Sequence, residues 1–129
     1  AGVQQGYFLG SYSARKLGMD TTGNAGGPHN ILVAPTCDAS GLLALMGTGL
    51  LVTELLGHGT NMVTGDYSRG AAGFWVENGV IQYPVEEITI AGNLREMYQQ
   101  IVAIGDDGLK STSRHVGSIL IERMTVAGE

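Results

Sequence analysis

Basic side chains are scarce in this sequence. Its 129 residues hold 7 Lys and Arg against 12 Asp and Glu, a formal net charge of −5. Nucleic acid and anionic membrane surfaces both attract clustered Lys and Arg, so neither is an expected partner. Cysteine is scarcer still. Cys37 stands alone, which excludes an internal disulfide and makes a reduced, cytoplasmic setting the default. Charged residues amount to only 15%, which argues against intrinsic disorder. Long hydrophobic runs are missing too: Gly41 to Val52 is interrupted by Gly47, Thr48 and Gly49 and falls short of a membrane span. No charged-then-apolar leader opens the chain, and it begins at Ala1 without an initiator Met. That start suggests a fragment or processed piece. Glycine, by contrast, is abundant at 21 residues with only 3 prolines and no collagen period, over twice the usual ~7%. Such glycines read as tight turns and close backbone approaches. The length suits one domain, residues 1–129, and would crowd two.

Local patterns place the elements. Ser11 to Leu17 reads as a short helix, capped by Ser11 or Ser13 and ended by Gly18. Thr21 to Asn30 (TTGNAGGPHN) is a polar, glycine-rich loop. Ile31 to Ala34, closed by Pro35, reads as a brief buried strand. Asp38 or Ser40 caps a helix through Leu42, Leu43, Leu45 and Met46 that Gly47 terminates. Leu50 to Leu56 and Asn61 to Thr64 are strand candidates. Asn78-Gly79 lies between two β-prone runs, Gly73 to Glu77 and Val80 to Val85, the signature of a two-residue type I′ hairpin. Pro84 restricts the second strand to an edge or a bulge. Glu86 to Ala91 resumes a strand with Ile88 and Ile90 on one face. Asn93 caps a helix spanning Leu94 to Ile104, with Leu94, Met97, Tyr98, Ile101 and Ile104 along one stripe. Asp106 to Arg114 is a polar loop, and Val116 to Val126 supplies one or two final strands. The expectation is an α+β domain, predominantly β, with antiparallel or mixed sheets and two or three short helices.

Candidate chemistry is sparse. His29, in GGPHN, and His58, in GHGTN, join Cys37 as donors that suit zinc, but no HExxH, CxxC or HxH spacing groups them. Cys37, His115 and an acid make a nominal nucleophile trio, with no protease signature around Cys37. The GNAGG run, Gly23 to Gly27, lacks the strand, lysine and helix of a phosphate-binding loop. Its glycines could still admit a substrate main chain at close range, which makes Asn24, Gly26, Gly27, His29 and Asn30 substrate or interface candidates. Asp66 and Arg69, in GDYSRG, read as a turn with a local ion pair or as a buried arginine that fixes a loop or interface, with Trp75 in the apolar strand that follows. Glu86 and Glu87 point to opposite strand faces and make no natural dyad. One is expected to be buried against a charge and the other solvated.

The blocks GDYSRGAAGFWVENG (Gly65 to Gly79), IQYPVEEITIAGNL (Ile81 to Leu94) and SYSARKLGM (Ser11 to Met19) resemble the TldD/PmbA family, also called "modulator of DNA gyrase". With TGNAGGPHN and MGTGLLVTEL they are most similar to its PmbA (TldE) branch, over essentially the whole chain from about Tyr7. The resemblance implies the C-terminal domain of a noncatalytic subunit in a cytoplasmic zinc metallopeptidase complex. In that family a TldD-type subunit carries zinc on an HExxxH helix, and the TldE type pairs with it to trim unfolded peptides.

The departures fit that division of labour. No HE dipeptide occurs, and Ser113 to Ser118 has no cysteine where a TldD-type chain supplies a further zinc ligand. The expectations are therefore no catalytic or metal residue in this chain, zinc on the partner, and the family's N-terminal domain absent. A second reading is structural: cut from its parent, such a domain exposes sheet edges and apolar surface that invite homo-oligomers, filaments or tubes.

Overall fold

A computed structural model describes residues 3–128. The chain divides into two compact units. The first runs to Val33 and takes in Leu109–His115; the second comprises Ala34–Gly108 and the chain from Val116 on.

The first unit is organised around Leu9. Its N–H donates to Thr22 Oγ1 at 2.7 Å, and its carbonyl accepts from the Thr22 and Asn24 N–H groups at 3.0 and 3.2 Å. These bonds fold the glycine-rich loop back on the segment leading into helix α1 (Ser11–Leu17). Neither expected serine caps α1. Gly10 occupies that position without a side-chain bond, and Ser13 Oγ donates back to the Gly10 carbonyl at 3.1 Å. Gly18 ends the helix in the left-handed region, as its sequence position suggests. Strand β1 is only Ile31–Leu32. It is not buried as the apolar run implied, since Leu32 is 79% exposed. It forms a two-residue parallel pairing with β6 (Arg114–His115).

The second unit carries a four-stranded antiparallel sheet. Helix α2 (Ala39–Met46) precedes it, with Asp38 accepting from the Gly41 N–H at 2.7 Å. The strands are β2 (Gly49–Leu56), β3 (Asp66–Glu77), β4 (Val80–Asn93) and β8 (Thr125–Ala127), in the order β2-β3-β4-β8. Asn78 and Gly79 join β3 to β4 with φ of 51° and 74°, the double positive φ of a type I′ turn. The Gly79 N–H donates to the Gly47 carbonyl at 2.7 Å, which pins the hairpin tip to the end of α2. Ala71, Ile88 and Ile90 form the buried core, with Leu50, Val52, Tyr67, Val85 and Met124 packed against it. At Gly73 a Cβ would collide with the Leu51 carbonyl, so only glycine permits this approach of β3 to β2. Pro84 pairs with Phe74 in a part of β4 that β8 does not reach, because β8 pairs only with Thr89–Ala91. A bulge follows at Glu86-Glu87, with Glu87 at φ 54°. Both glutamates are exposed, so the expected burial of one of them is wrong. The bulge turns this stretch outward instead of burying one face.

Two further expectations fail. Asn61 to Thr64 is a turn, not a strand. Asn61 Oδ1 accepts from the Val63 and Thr64 N–H groups at 2.9 and 3.2 Å, so the side chain does what a partner strand would otherwise do. The long helix from Asn93 stops early. Asn93 caps α3 as expected, accepting from the Arg95 N–H, but α3 ends at Gln99 and buries no residue. Ile101–Ile104 is strand β5, antiparallel to β7 (Ile119–Ile121). Ile-Val-Ala-Ile favours a pleated strand, and pairing with Ile119–Ile121 outweighs the helical spacing beyond α3. The architecture is α+β, mostly strand, with three helices and both antiparallel and parallel pairings.

Candidate functional site

In the first unit, the turn entering α1 and the glycine-rich loop enclose an open cleft of about 350 Å³. Phe8, Tyr12, Asn24 and Gly27 are among its walls. Asn24 is the organising side chain. Its Oδ1 accepts from Thr22 Oγ1 at 2.7 Å, and its Nδ2 donates to the Gly27 carbonyl at 3.3 Å. Gly27 sits at φ 91°, a conformation that other residues adopt rarely. A Cβ at Gly26 or Gly27 would meet nothing within 4 Å. The close approach expected at these glycines is therefore not to another part of the described chain, and their faces are open to a ligand. Close approach occurs instead at Gly10, where a Cβ would lie 2.8 Å from the Ala25 Cα. Asn24 and Gly27 are half-buried on this cleft, whereas Gly26, His29 and Asn30 are exposed.

Asp66, Arg69 and Trp75 lie in the second unit, all on β3 and not in a turn. Alternation along a strand puts Asp66 on the face opposite Arg69, which removes the expected local ion pair. Asp66 instead accepts from Thr64 Oγ1 at 2.7 Å. Arg69 is half-buried and donates to the Leu55 and Leu56 carbonyls at 3.4 and 3.5 Å, so it secures the end of β2. Trp75 stands in a cross-strand row between Leu50 and Tyr83, and its Nε1 donates to Glu77 Oε1 at 3.0 Å. Arg69 and Trp75 share a face but lie about 20 Å apart along the strand. These three residues do not converge on one site.

The donor set does not fit a zinc ion. Among the described residues no three His, Cys, Asp or Glu side chains group as metal ligands. Cys37 lies just before the Asp38 cap, half-buried, with Sγ 4.0 Å from the Ile104 carbonyl. His115 belongs to the other unit, on β6.

Sequence reasoning missed two organised loops. Asp107 accepts from the Ser118 N–H at 2.8 Å and from Ser118 Oγ at 2.6 Å, clamping the loop after β5 to the start of β7. The Ser118 hydroxyl and then its N–H hold the Asp107 carboxyl below its ordinary value, against a small opposing effect of burial. Gly117 permits the crossing, since a Cβ there would strike the Gly105 carbonyl. The second loop is the Asn61–Asp66 turn. Asn93 Nδ2 bonds the Thr64 carbonyl at 3.1 Å, and the Leu94 N–H bonds the Gly65 carbonyl at 2.7 Å. This braced turn holds Met62 and Val63 82% and 94% exposed. The asparagine and Thr-Gly of NMVTGD were the available signal for a turn.

Comparison with known proteins yields consistent matches. The family model for the PmbA/TldA metallopeptidase C-terminal domain matches residues 1–128. The chain is 56% identical to the Metalloprotease PmbA homolog of Haemophilus influenzae, over 98% of this chain and 29% of that protein. It is 54% identical to the Metalloprotease PmbA of Escherichia coli O157:H7, over 99% of this chain and 29% of that protein. It thus spans under a third of these relatives' length. A crystal structure from Thermotoga maritima, described as a modulator of a DNA gyrase, superposes with a TM-score of 0.89 at 38% identity, over 98% of this chain and 31% of that one. A Bacteroides thetaiotaomicron protein of similar description gives 0.84 at 34% identity, over 95% and 28%.

Proposed function

The chain belongs to the PmbA/TldA metallopeptidase family, matching its C-terminal domain, and from that premise we propose that it is a noncatalytic interface domain of a family protease complex. Its partner in this reading is a TldD-type subunit that carries the zinc, and the assembly trims or degrades peptides in the cytoplasm. The two units act together as one domain, a reading favoured by a family match that runs through both.

One observation carries the proposal. Only eight hydrophobic residues are buried among those described, while many large ones, from Phe8 and Tyr12 to Tyr83 and Tyr98, are exposed. Exposed large apolar side chains in this number, on each unit, favour surfaces that another protein or domain covers. The open faces of Gly26 and Gly27, beside Asn24, favour that loop as a place where a main chain can lie close. No helix is long and apolar enough to cross a membrane among the described residues.

The proposal is tested by mixing the purified chain with a TldD-type subunit and measuring association by native mass spectrometry. A stoichiometric complex that Phe8→Asp or Tyr12→Asp weakens supports it; absence of any complex at concentrations of tens of micromolar, on the order of ordinary transient affinities, rejects it. A second reading, self-assembly of the isolated chain, is favoured by the edge of β2 that has no strand beside it among the described residues. Light scattering across a concentration series tests it, and a strictly monomeric particle throughout rejects it.

A further inference from the structure

We propose that the free edge of β2 pairs antiparallel with β2 of a second copy of this chain. The inference rests on the self-assembly reading and assigns it a specific surface.

The sheet's edges differ in their protection. Where β8 does not reach, β4 carries Pro84, the Glu86-Glu87 pair and a bulge, each of which obstructs further pairing. β8 itself is three residues long. β2 is eight residues long, hydrogen-bonds to β3 on one side, and has no strand on the other among the described residues. It contains neither proline nor lysine, and Glu54 is its only charge. A bulge between Val52 and Glu54 interrupts it at Thr53, so the pairing runs through Leu50–Leu51 and Leu55–Leu56 on either side of that interruption.

The sequence of the strand selects the occupant. Leu50-Leu51-Val52-Thr53-Glu54-Leu55-Leu56 is close to symmetric about Thr53. Antiparallel pairing about a two-fold axis at Thr53 sets Leu50 opposite Leu56 and Leu51 opposite Leu55. Val52 then faces Glu54, and the two Glu54 carboxylates are never directly opposed. A second copy reproduces every leucine pair twice, which a strand of unrelated sequence does not. Leu55 and Leu56, now 41% and 53% exposed, gain cross-strand partners. The Arg69 bonds to their carbonyls, at 3.4 and 3.5 Å, are longer than strand-ladder bonds and are exchanged for them where the pairing needs those carbonyls.

A single strand pair buries less than the ~1,200–2,000 Å² of a standard stable interface, so association is weak and concentration-dependent. The test is sedimentation of the full chain from low micromolar to millimolar concentration, with amide hydrogen exchange at each end of the range. The expected result is a dimer in which Gly49–Leu56 amides gain protection with concentration. Leu56→Lys, at an exposed position, should weaken it about tenfold, as a charge on an edge strand does. Met62→Asp, on the exposed turn, should leave it unchanged. Oligomers without added protection in β2 would overturn this inference and leave self-assembly standing, and a monomer at every concentration would overturn both. A Leu56→Lys chain that dimerises as strongly as the parent would also overturn it. Should that variant fail to fold, the exchange pattern of the parent chain decides.

Discussion

The two units are held together by different means. The second is a sheet whose core, Ala71, Ile88 and Ile90, is sealed by apolar neighbours from β2, β3 and β4. The first has Leu9 and Ala14 as its buried hydrophobic residues, and bonds from Thr21, Thr22 and Asn24 to the Leu9 backbone bind its loop. Packing gives the sheet a stability of its own, whereas a bonded loop with exposed Phe8 and Tyr12 gains from whatever covers it. This contrast is why we propose the first unit as the partner-facing one.

The contrast can be broken or sharpened by substitution. Ile88→Ala should cost about 3 kcal/mol, since it empties a fully packed position; urea denaturation followed through Trp75 fluorescence measures the loss. Thr22→Val removes the acceptor for the Leu9 N–H and should cost about 1–2 kcal/mol. Its effect should be confined to faster amide exchange in the first unit, with exchange in β3 and β4 unaltered. Asp38→Ala should cost about 1 kcal/mol through loss of the α2 cap, read from the urea midpoint.

The smallest effect concerns Asp107. Its carboxyl is lowered in the folded chain from an ordinary 3.8, so the ionised form is favoured by folding. The resulting stability is fully present above the unfolded value and is lost as pH falls through it toward the folded one. Denaturation midpoints of the parent chain and Asp107→Asn should differ at neutral pH and converge below that window. A difference that persists unchanged in acid would remove the assigned role of the Ser118 clamp.

What the sequence reveals follows the range of the forces involved. The Asn78-Gly79 turn, the Asp38 and Asn93 caps and the Ile88/Ile90 face are set by neighbours in sequence, and each is readable. Residues 94–104 mislead because their three- and four-residue spacing suits a helix, while the partner strand Ile119–Ile121 lies farther along the chain. Burial of Ile31–Leu32 fails for the same reason: its covering element is two residues of β6. Among the candidate residues, Asn24 and Gly27 are joined by a hydrogen bond within one loop, whereas Gly26, His29 and Asn30 are exposed. The sequence cannot anticipate that Asp66 and Arg69 face opposite sides of one strand, because a GDYSRG segment reads equally well as a turn. The Asp107–Ser118 clamp spans the intervening loop and has no local signal.

In the proposed role, this domain supports peptide cleavage by binding and does not perform it. The most direct measurement is hydrolysis of an unfolded peptide by the purified chain, alone and with a TldD-type subunit, alongside zinc analysis of each protein. The account predicts no cleavage and no stoichiometric zinc for the chain alone, and chelator-sensitive cleavage when the two are combined. One zinc per chain with chelator-sensitive cleavage by the chain alone would contradict it.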